Sequence, residues 1–260
     1  MSLSKFRIKR KIGALSKDLN IIVYKTIDST NTQAKILAES NFGKNAVFIA
    51  SEQTAGRGRL GRSFISEKHK GLYLSILLKG EFTPDFATSL TTYMAVIASR
   101  AIDFLSGVKS EIKWVNDIYV GGKKLSGILT EGKATEDGSA LSYAVVGIGI
   151  NLLKQSFDDE VRKIATTIED ECEKKIDINE LAAHIIKGFF DSLQFAGTKE
   201  IADEYKSRSF LIGKNVTVIK PTQKYNALVT DITDKCELVL SLEDGTSENL
   251  GTGEVSVRAI

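Results

Sequence analysis

Glu52-Gln-Thr-Ala-Gly-Arg-Gly-Arg-Leu-Gly-Arg-Ser-Phe64 sets three glycines and three arginines into seven consecutive positions, Gly56 to Arg62. Glycine frees the backbone for φ > 0 and for close approach to a ligand. Arginine supplies a permanent charge in a planar donor fork suited to carboxylate and phosphate. The stretch reads as an anion cradle, mobile when empty. Gly56, Gly58 and Gly61 also spell G-x-G-x-x-G, a dinucleotide fingerprint that works only where a strand turns into a helix whose N-terminus receives the pyrophosphate. Here the following residues run Gly71-Leu-Tyr-Leu-Ser-Ile-Leu-Leu-Lys79, with Tyr73, Ser75 and Leu77 alternating against Leu72, Leu74 and Ile76 as in a strand. Upstream, Ala46-Val-Phe-Ile-Ala50 is a buried strand. A cradle joining strand to strand is not a Rossmann turn. A solvated basic loop with no ligand stays open as the plain alternative.

Working outward, Ile21 to Tyr24 predicts a short strand. Asp28-Ser-Thr-Asn31 offers caps for a helix from Thr32 to Glu39 with Ala34, Leu37 and Ala38 on one face. Ser29, Thr30 and Asn31 serve equally as helix caps or as short polar groups for a ligand. Pro84 opens a long helix over residues 85–105, with Leu90, Met94, Ile97, Ala98, Ala101 and Leu105 at helical spacing; Met94 and Phe104 read as core. Glu111 to Val120 and Lys123 to Glu131, around Gly121-Gly122, predict a hairpin. Lys113, Asn116, Asp117 and Lys124 interrupt it with polar groups, and Asn116-Asp117 beside the single tryptophan disfavours strand. Leu141 to Leu153 is a buried strand whose Gly147 and Gly149 permit a bulge or admit a ligand against the backbone. Residues 154–170 read as a polar loop, a helix begins at Asn179, and a short one covers Lys199 to Tyr205. From Gly213, short alternating runs at Val216 to Ile219, Ala227 to Ile232, Leu238 to Leu242 and Val255 to Val257 predict a small all-β unit. Two domains are expected, 1–208 and 209–260.

Composition bounds the rest. In 260 residues, 35 Lys and Arg against 33 Asp and Glu leave a net charge of +2, so no global basic field argues for nucleic acid. Glu243, Asp244, Glu248 and Glu254 in the β tail count against a nucleic-acid module built on the arginine loop. The basic start Met1 to Lys11 lacks a following apolar region, and no segment approaches a membrane span, so a cytoplasmic protein without a membrane partner is expected. Cys172, Cys236, His69 and His184 are too few and scattered for a zinc site, and no histidine base is expected.

In this order, Ser29-Thr-Asn31, Gly56-Arg-Gly-Arg-Leu-Gly-Arg62, Lys113-Trp-Val-Asn-Asp117, Lys124-Leu-Ser-Gly-Ile-Leu129, Gly147-Ile-Gly-Ile-Asn151 and Gly253-Glu-Val-Ser-Val-Arg258 resemble the motifs of the biotin protein ligases. The resemblance runs from about residue 22 to the end. It implies an α+β fold: a mixed sheet with helices on one face, like the class II synthetases, plus a small C-terminal SH3-like β-barrel. It implies ATP-dependent activation of biotin as biotinyl-5′-AMP, with Mg²⁺ on the phosphates, and transfer to a lysine of a biotin carboxyl carrier domain, as in a biotin–[acetyl-CoA-carboxylase] ligase. Carried over residue by residue, the biotin contacts are Ser29, Thr30, Asn31, Gln53, Gly56, Arg57, Arg59, Lys124 and Gly127. The ATP contacts are Arg59, Arg62, Trp114, Asn116, Lys124, Asn151 and Arg258. Lys124, Arg59 and Asp117 are the catalytic candidates, Asp117 to orient or deprotonate the carrier lysine, to shape the hairpin, or to contact Mg²⁺ indirectly. Val115 replaces the family's usual proline, and Phe64 stands where many members have tryptophan. The roughly twenty residues before Ile21 leave no room for the winged helix-turn-helix of some members, so the likeness is to the ligase-only type, with no DNA partner and a homodimer left open. A lipoate or octanoate ligase of the same fold is the nearest rival.

Overall fold

Strand-forming runs assemble into a seven-stranded mixed sheet in the computed structural model, which describes residues 2–40, 42–220, 222–251 and 256–259. In chain order the strands are β1 (Asn20–Tyr24), β2 (Ala46–Ala50), β3 (Gly71–Phe82), β4 (Glu111–Lys113), β5 (Asp117–Val120), β6 (Lys123–Ala134) and β7 (Leu141–Asn151). Their spatial order is β1-β2-β3-β7-β6-β5-β4. β1 pairs with β2 in parallel, and the remaining neighbours pair antiparallel. Side-chain alternation then splits β3: Leu72, Leu74, Ile76 and Leu78 enter the main core, and Leu77 enters a smaller one on the opposite face.

The helices are α1 (Lys5–Ile12), α2 (Thr30–Glu39), α3 (Pro84–Ser106), α4 (Asp159–Ile164), α5 (Ile168–Glu171), α6 (Ile178–Asp191) and α7 (Lys199–Arg208). The buried faces of α1, α3, α6 and α7 join the main core, as helices on one face require. The exception is α2, whose Ala34 and Ala38 pack on Phe48, Leu77, Tyr143 and Val145 across the sheet. α3 follows its sequence signals: Thr83 accepts from the Phe86 N–H, Pro84 opens the first turn, and Gly107 at φ 79° closes the helix. A second, five-stranded antiparallel sheet is built from β8 (Asn215–Ile219), β9 (Lys224–Ile232), β10 (Leu238–Ser241), β11 (Ser247–Leu250) and β12 (Ser256–Ala259), in the order β11-β10-β9-β8-β12.

Several elements differ from the sequence reading. Glu111 to Val120 is not one strand: Trp114 to Asn116 turn, β4 folds back on β5, and with β6 they form a three-stranded meander. The Trp114–Val115 peptide bond is cis. The polar stretch 154–170 contains α4 and most of α5, whose caps Asp158 and Thr167 accept from the Val161 and Asp170 N–H groups. Helix α1 hides in a basic run, yet Ile8 and Ile12, four residues apart, are buried, and the N–H of its cap Ser4 donates to Asn179 Oδ1 of α6 at 2.7 Å. Met94 is core, but Phe104 is 72% exposed, with its ring 5.2 Å from that of His184. No helix among the described residues is long and apolar enough to cross a membrane.

Candidate active site

A cavity of about 610 Å³ opens between the start of α2, the arginine–glycine loop, the Trp114 to Asp117 turn and the middle of β6 and β7. Gly147 and Gly149 lie on its wall, and their pairing with β3 and β6 runs without a register shift, so neither marks a bulge. They make room instead. A Cβ on Gly147 would fall 2.0 Å from Asn31 Oδ1, and one on Gly149 would fall 2.5 Å from the Phe64 ring.

The start of α2 caps its helix and faces the cavity. Ser29 caps the helix, accepting from the Thr32 N–H at 3.5 Å. Thr30 donates its N–H and its hydroxyl to Gln53 Oε1 at 2.8 and 3.0 Å, and Gln53 Nε2 donates to Ser66 Oγ at 2.9 Å. Buried Ser75 Oγ lies 2.6 Å from Asn31 Oδ1 and 2.7 Å from Thr30 Oγ1. Each short polar side chain is thus fixed by a neighbour before any ligand arrives. Ser29, Thr30, Asn31 and Gln53 all line the cavity.

The loop's glycines, read as freeing the backbone for φ > 0 and for close approach to a ligand, divide between positive φ and space. Gly61 takes φ 72°, and Leu60 beside it takes 54°. Gly58 has φ −122°, with its N–H donating to Arg62 O at 2.7 Å. Gly56 is needed for space, because a Cβ there would meet Phe64 O at 2.3 Å. It packs inside the loop and does not line the cavity. The N–H groups of Gly58, Arg62 and Phe64 are spent within the loop. Arg57, Arg59 and Arg62 all line the cavity. Arg57 pairs with Glu131 at 3.1 Å, and Arg59 donates to Asn116 Oδ1 at 3.3 Å. Burial draws the Arg59 guanidinium below its ordinary pKa, with the Asp117 charge opposing.

Lys124 reaches the site through an irregularity. Tyr119 pairs with Lys124 but Ile118 pairs with Ser126, so β6 carries one extra residue, Leu125. Leu125 and Ile128, three apart, are consequently both buried in the main core. Lys124 shares the opposite face with Gly127: a Cβ on Gly127 would lie 3.2 Å from its Nζ. The Lys124 ammonium stands 2.7 Å from Asp117 Oδ1, whereas Lys123 is exposed.

Trp114 lines the cavity, and its indole N–H donates to Cys236 O in the second sheet's β9–β10 connection at 2.8 Å. Asn116 Nδ2 donates to Ile128 O at 2.8 Å. Asn151, expected at the nucleotide, is buried outside the lining. Its Nδ2 donates to Thr166 O at 3.1 Å, its Oδ1 accepts from Gln155 Nε2 at 2.8 Å, and the Thr166 N–H donates to Lys124 O at 2.9 Å. Its place is behind Lys124. Arg258 falls on β12, where side chains lie outside the described residues. Phe64, Lys113, Tyr119 and Ile164 line the cavity without having been assigned a role. Phe64 was visible as an aromatic at the loop's end, and Ile164 carries no sequence signal. Chemically, three guanidiniums and two ammoniums, those of Lys113 and Lys124, line a partly apolar cavity that also carries neutral donors and acceptors. That suits an elongated ligand with a neutral polar head and an anionic tail, meeting a second anion at Lys124.

The model of the Biotin/lipoate A/B protein ligase family matches residues 23–151, and that of the Biotin protein ligase C terminal domain matches residues 211–258. The chain is 32% identical over 250 residues to the Bifunctional ligase/repressor BirA of Bacillus spizizenii, covering 94% of this chain and 76% of that protein. It is 30% identical over 254 residues to the Biotin–[acetyl-CoA-carboxylase] ligase of Mycobacterium tuberculosis, covering 94% and 91%. The biotin protein ligase from Aquifex aeolicus in complex with biotin and ATP superposes with a TM-score of 0.79 at 28% identity, over 93% of this chain and 99% of that one.

Proposed function

We propose that this chain, which belongs to the biotin protein ligase family, joins biotin to ATP and passes it to a lysine of a biotin carboxyl carrier domain. In the first step a biotin carboxylate oxygen attacks the α-phosphorus of ATP, the bond to the β-phosphate bridging oxygen breaks, and biotinyl-5′-AMP and pyrophosphate result. In the second, the carrier lysine's amine attacks the acyl carbon, AMP leaves with the acyl C–O bond electrons, and the amine proton is lost to a base. The observation that carries this reading is the Lys124–Asp117 pair at 2.7 Å beside Gly127, facing Arg57, Arg59 and Arg62 across one cavity.

Two anions must be brought together in the first step, so positive charge and positioning matter more than a strong base. Lys124 neutralises the attacking carboxylate and the charge developing on phosphorus. Arg59 and Arg62 hold the nucleotide's anionic groups, with Trp114 and Asn116 beside them. Ser29, Thr30, Asn31 and Gln53 take the neutral head of biotin, and Gly147 and Gly149 leave room for Asn31 and Phe64 to flank its apolar body. Asp117 orients Lys124 in the empty site and takes up or orients the carrier amine in the second step. Mg²⁺ has one candidate side chain, Asp117, whose Oδ1 is already engaged by Lys124. Among the described residues no three His, Cys, Asp or Glu side chains converge, so these residues offer no cage of their own, and the ion would arrive on the ATP phosphates.

Incubation with ATP and labelled biotin, followed by rapid gel filtration and release of bound nucleotide, tests the reading. Retained biotinyl-5′-AMP supports it. Retention of a lipoyl or octanoyl adenylate instead, or tight oligonucleotide binding with no adenylate, would replace it with the acyl-ligase or nucleic-acid alternative.

A further inference from the structure

Glu131 stands behind the cavity rather than in its lining, and it is where three elements meet. Lys35 of α2 donates to its Oε1 at 2.7 Å, Asn31 Nδ2 donates to its Oε2 at 2.9 Å, and the Arg57 guanidinium lies 3.1 Å from Oε1. Its side chain is 17% exposed. Burial pushes its pKa up, but hydrogen bonds from Lys35 and Asn31, with the charges of Lys35 and Arg57, bring it below the ordinary carboxylate value. The carboxylate is therefore ionised at neutral pH.

Two of its three partners line the cavity. The Asn31 amide has one orientation that satisfies its surroundings. Nδ2 faces Glu131 Oε2 and Leu129 O, while Oδ1 faces the Ser75 hydroxyl and lies over Gly147. Arg57 is the first arginine of the loop, and its contact with Glu131 ties that mobile-by-composition segment to the rigid strand β6.

We infer that Glu131 is a positioning residue for biotin: it presets the Asn31 amide and, through Arg57, tethers the arginine–glycine loop over the empty site. The inference rests on the function proposed above. It assigns Glu131 to the biotin end of the cavity, away from the ATP end and from Lys124. Lys35 contributes a charge to the same carboxylate, but Lys35→Met leaves Asn31 and Arg57 in place.

The test is single-turnover adenylate formation across a range of biotin and of ATP concentrations, together with trypsin cleavage after Arg57, Arg59 and Arg62 in the ligand-free protein. Glu131→Gln removes the charge. Glu131→Asp keeps a carboxylate near Lys35 but withdraws it by one methylene, and is read if the glutamine variant does not fold. Both should raise the half-saturating biotin concentration roughly tenfold, the effect of one charge-assisted contact, and leave the ATP dependence and the saturating rate within about threefold. Both should speed loop cleavage, and Lys35→Met should do neither. Unchanged biotin dependence in the Glu131 variants, or Lys35→Met reproducing their full effect, would overturn the inference. Failure of the unaltered protein to make biotinyl-5′-AMP would instead sink the functional reading, and the cleavage rates would still report on the tether.

Discussion

Lys124→Ala removes an ammonium held on the cavity face of β6, 2.7 Å from Asp117 Oδ1. At about 4 Å from a developing unit charge, with an effective dielectric near 20, such a cation is worth about 4 kcal/mol. The Lys124 side chain is 35% exposed, so solvent screens part of this. A remaining effect of about 3–4 kcal/mol corresponds to a slowing of adenylate formation by roughly 10² to 10³, the range found on removing one preorganised stabiliser of transition-state charge. Loss of the cation also leaves Asp117 facing two incoming anions, which presses toward the upper end. The assay is single-turnover formation of biotinyl-5′-AMP from saturating biotin and ATP by rapid quench. Lys123→Ala is the control, because Lys123 is exposed and outside the cavity. Equal rates for the two variants, or a Lys124→Ala rate within threefold of the unaltered protein, would refute the assignment and with it the role given to the Leu125 bulge.

Arg59→Gly should still make biotinyl-5′-AMP but release it early, since Arg59 lines the cavity and donates to Asn116, while Lys124 remains to neutralise the charge developing on phosphorus. Escaped adenylate should biotinylate bystander lysines, and labelling confined to the carrier would assign Arg59 elsewhere. Gly147→Ala sets a Cβ 2.0 Å from Asn31 Oδ1 on a strand paired on both sides, so biotin binding measured by calorimetry should be lost and stability should fall by about 1–3 kcal/mol; wild-type affinity would mean that Asn31 is dispensable. Glu204 accepts from Arg100 Nε at 3.0 Å and Arg208 Nε at 3.0 Å. Burial raises its pKa, but these hydrogen bonds and charges bring it below the ordinary carboxylate value. Its contribution to stability is therefore complete above pH 4.5 and is lost as pH falls through the lowered folded-state value. Thermal melts of Glu204→Gln should show a lower Tm at neutral pH and a shallower decline below pH 5, and an unaltered acid limb would count against the pairing.

Much of this protein is legible in its sequence because local chemistry dictates it. Alternation in Gly71 to Lys79, the Thr83–Pro84 start and Gly107 end of α3, and the strand-to-strand setting of Gly56 to Arg62 specify elements without reference to distant residues. The order of the motifs was likewise enough to place the chain among the biotin protein ligases. What the sequence left open depends on contacts far apart in the chain. α1 is set by burial of Ile8 and Ile12 near α6, across some 170 residues, so its own composition shows only a basic run. Whether Gly147 and Gly149 bend the strand or clear space is decided by Asn31 and Phe64 arriving from other elements. Asn151 carries the right residue type for a ligand, yet Thr166 and Gln155 claim its amide. The side of β6 that Lys124 occupies is the sharpest case. With a period of 2, Lys124 and Gly127 fall on opposite faces, and only the register slip between Ile118 and Tyr119 brings them together. Period and propensity belong to the chain, but a bulge is settled by what both faces of the sheet must bury: here Leu125 and Ile128 take the core, and Lys124 is turned into the cavity.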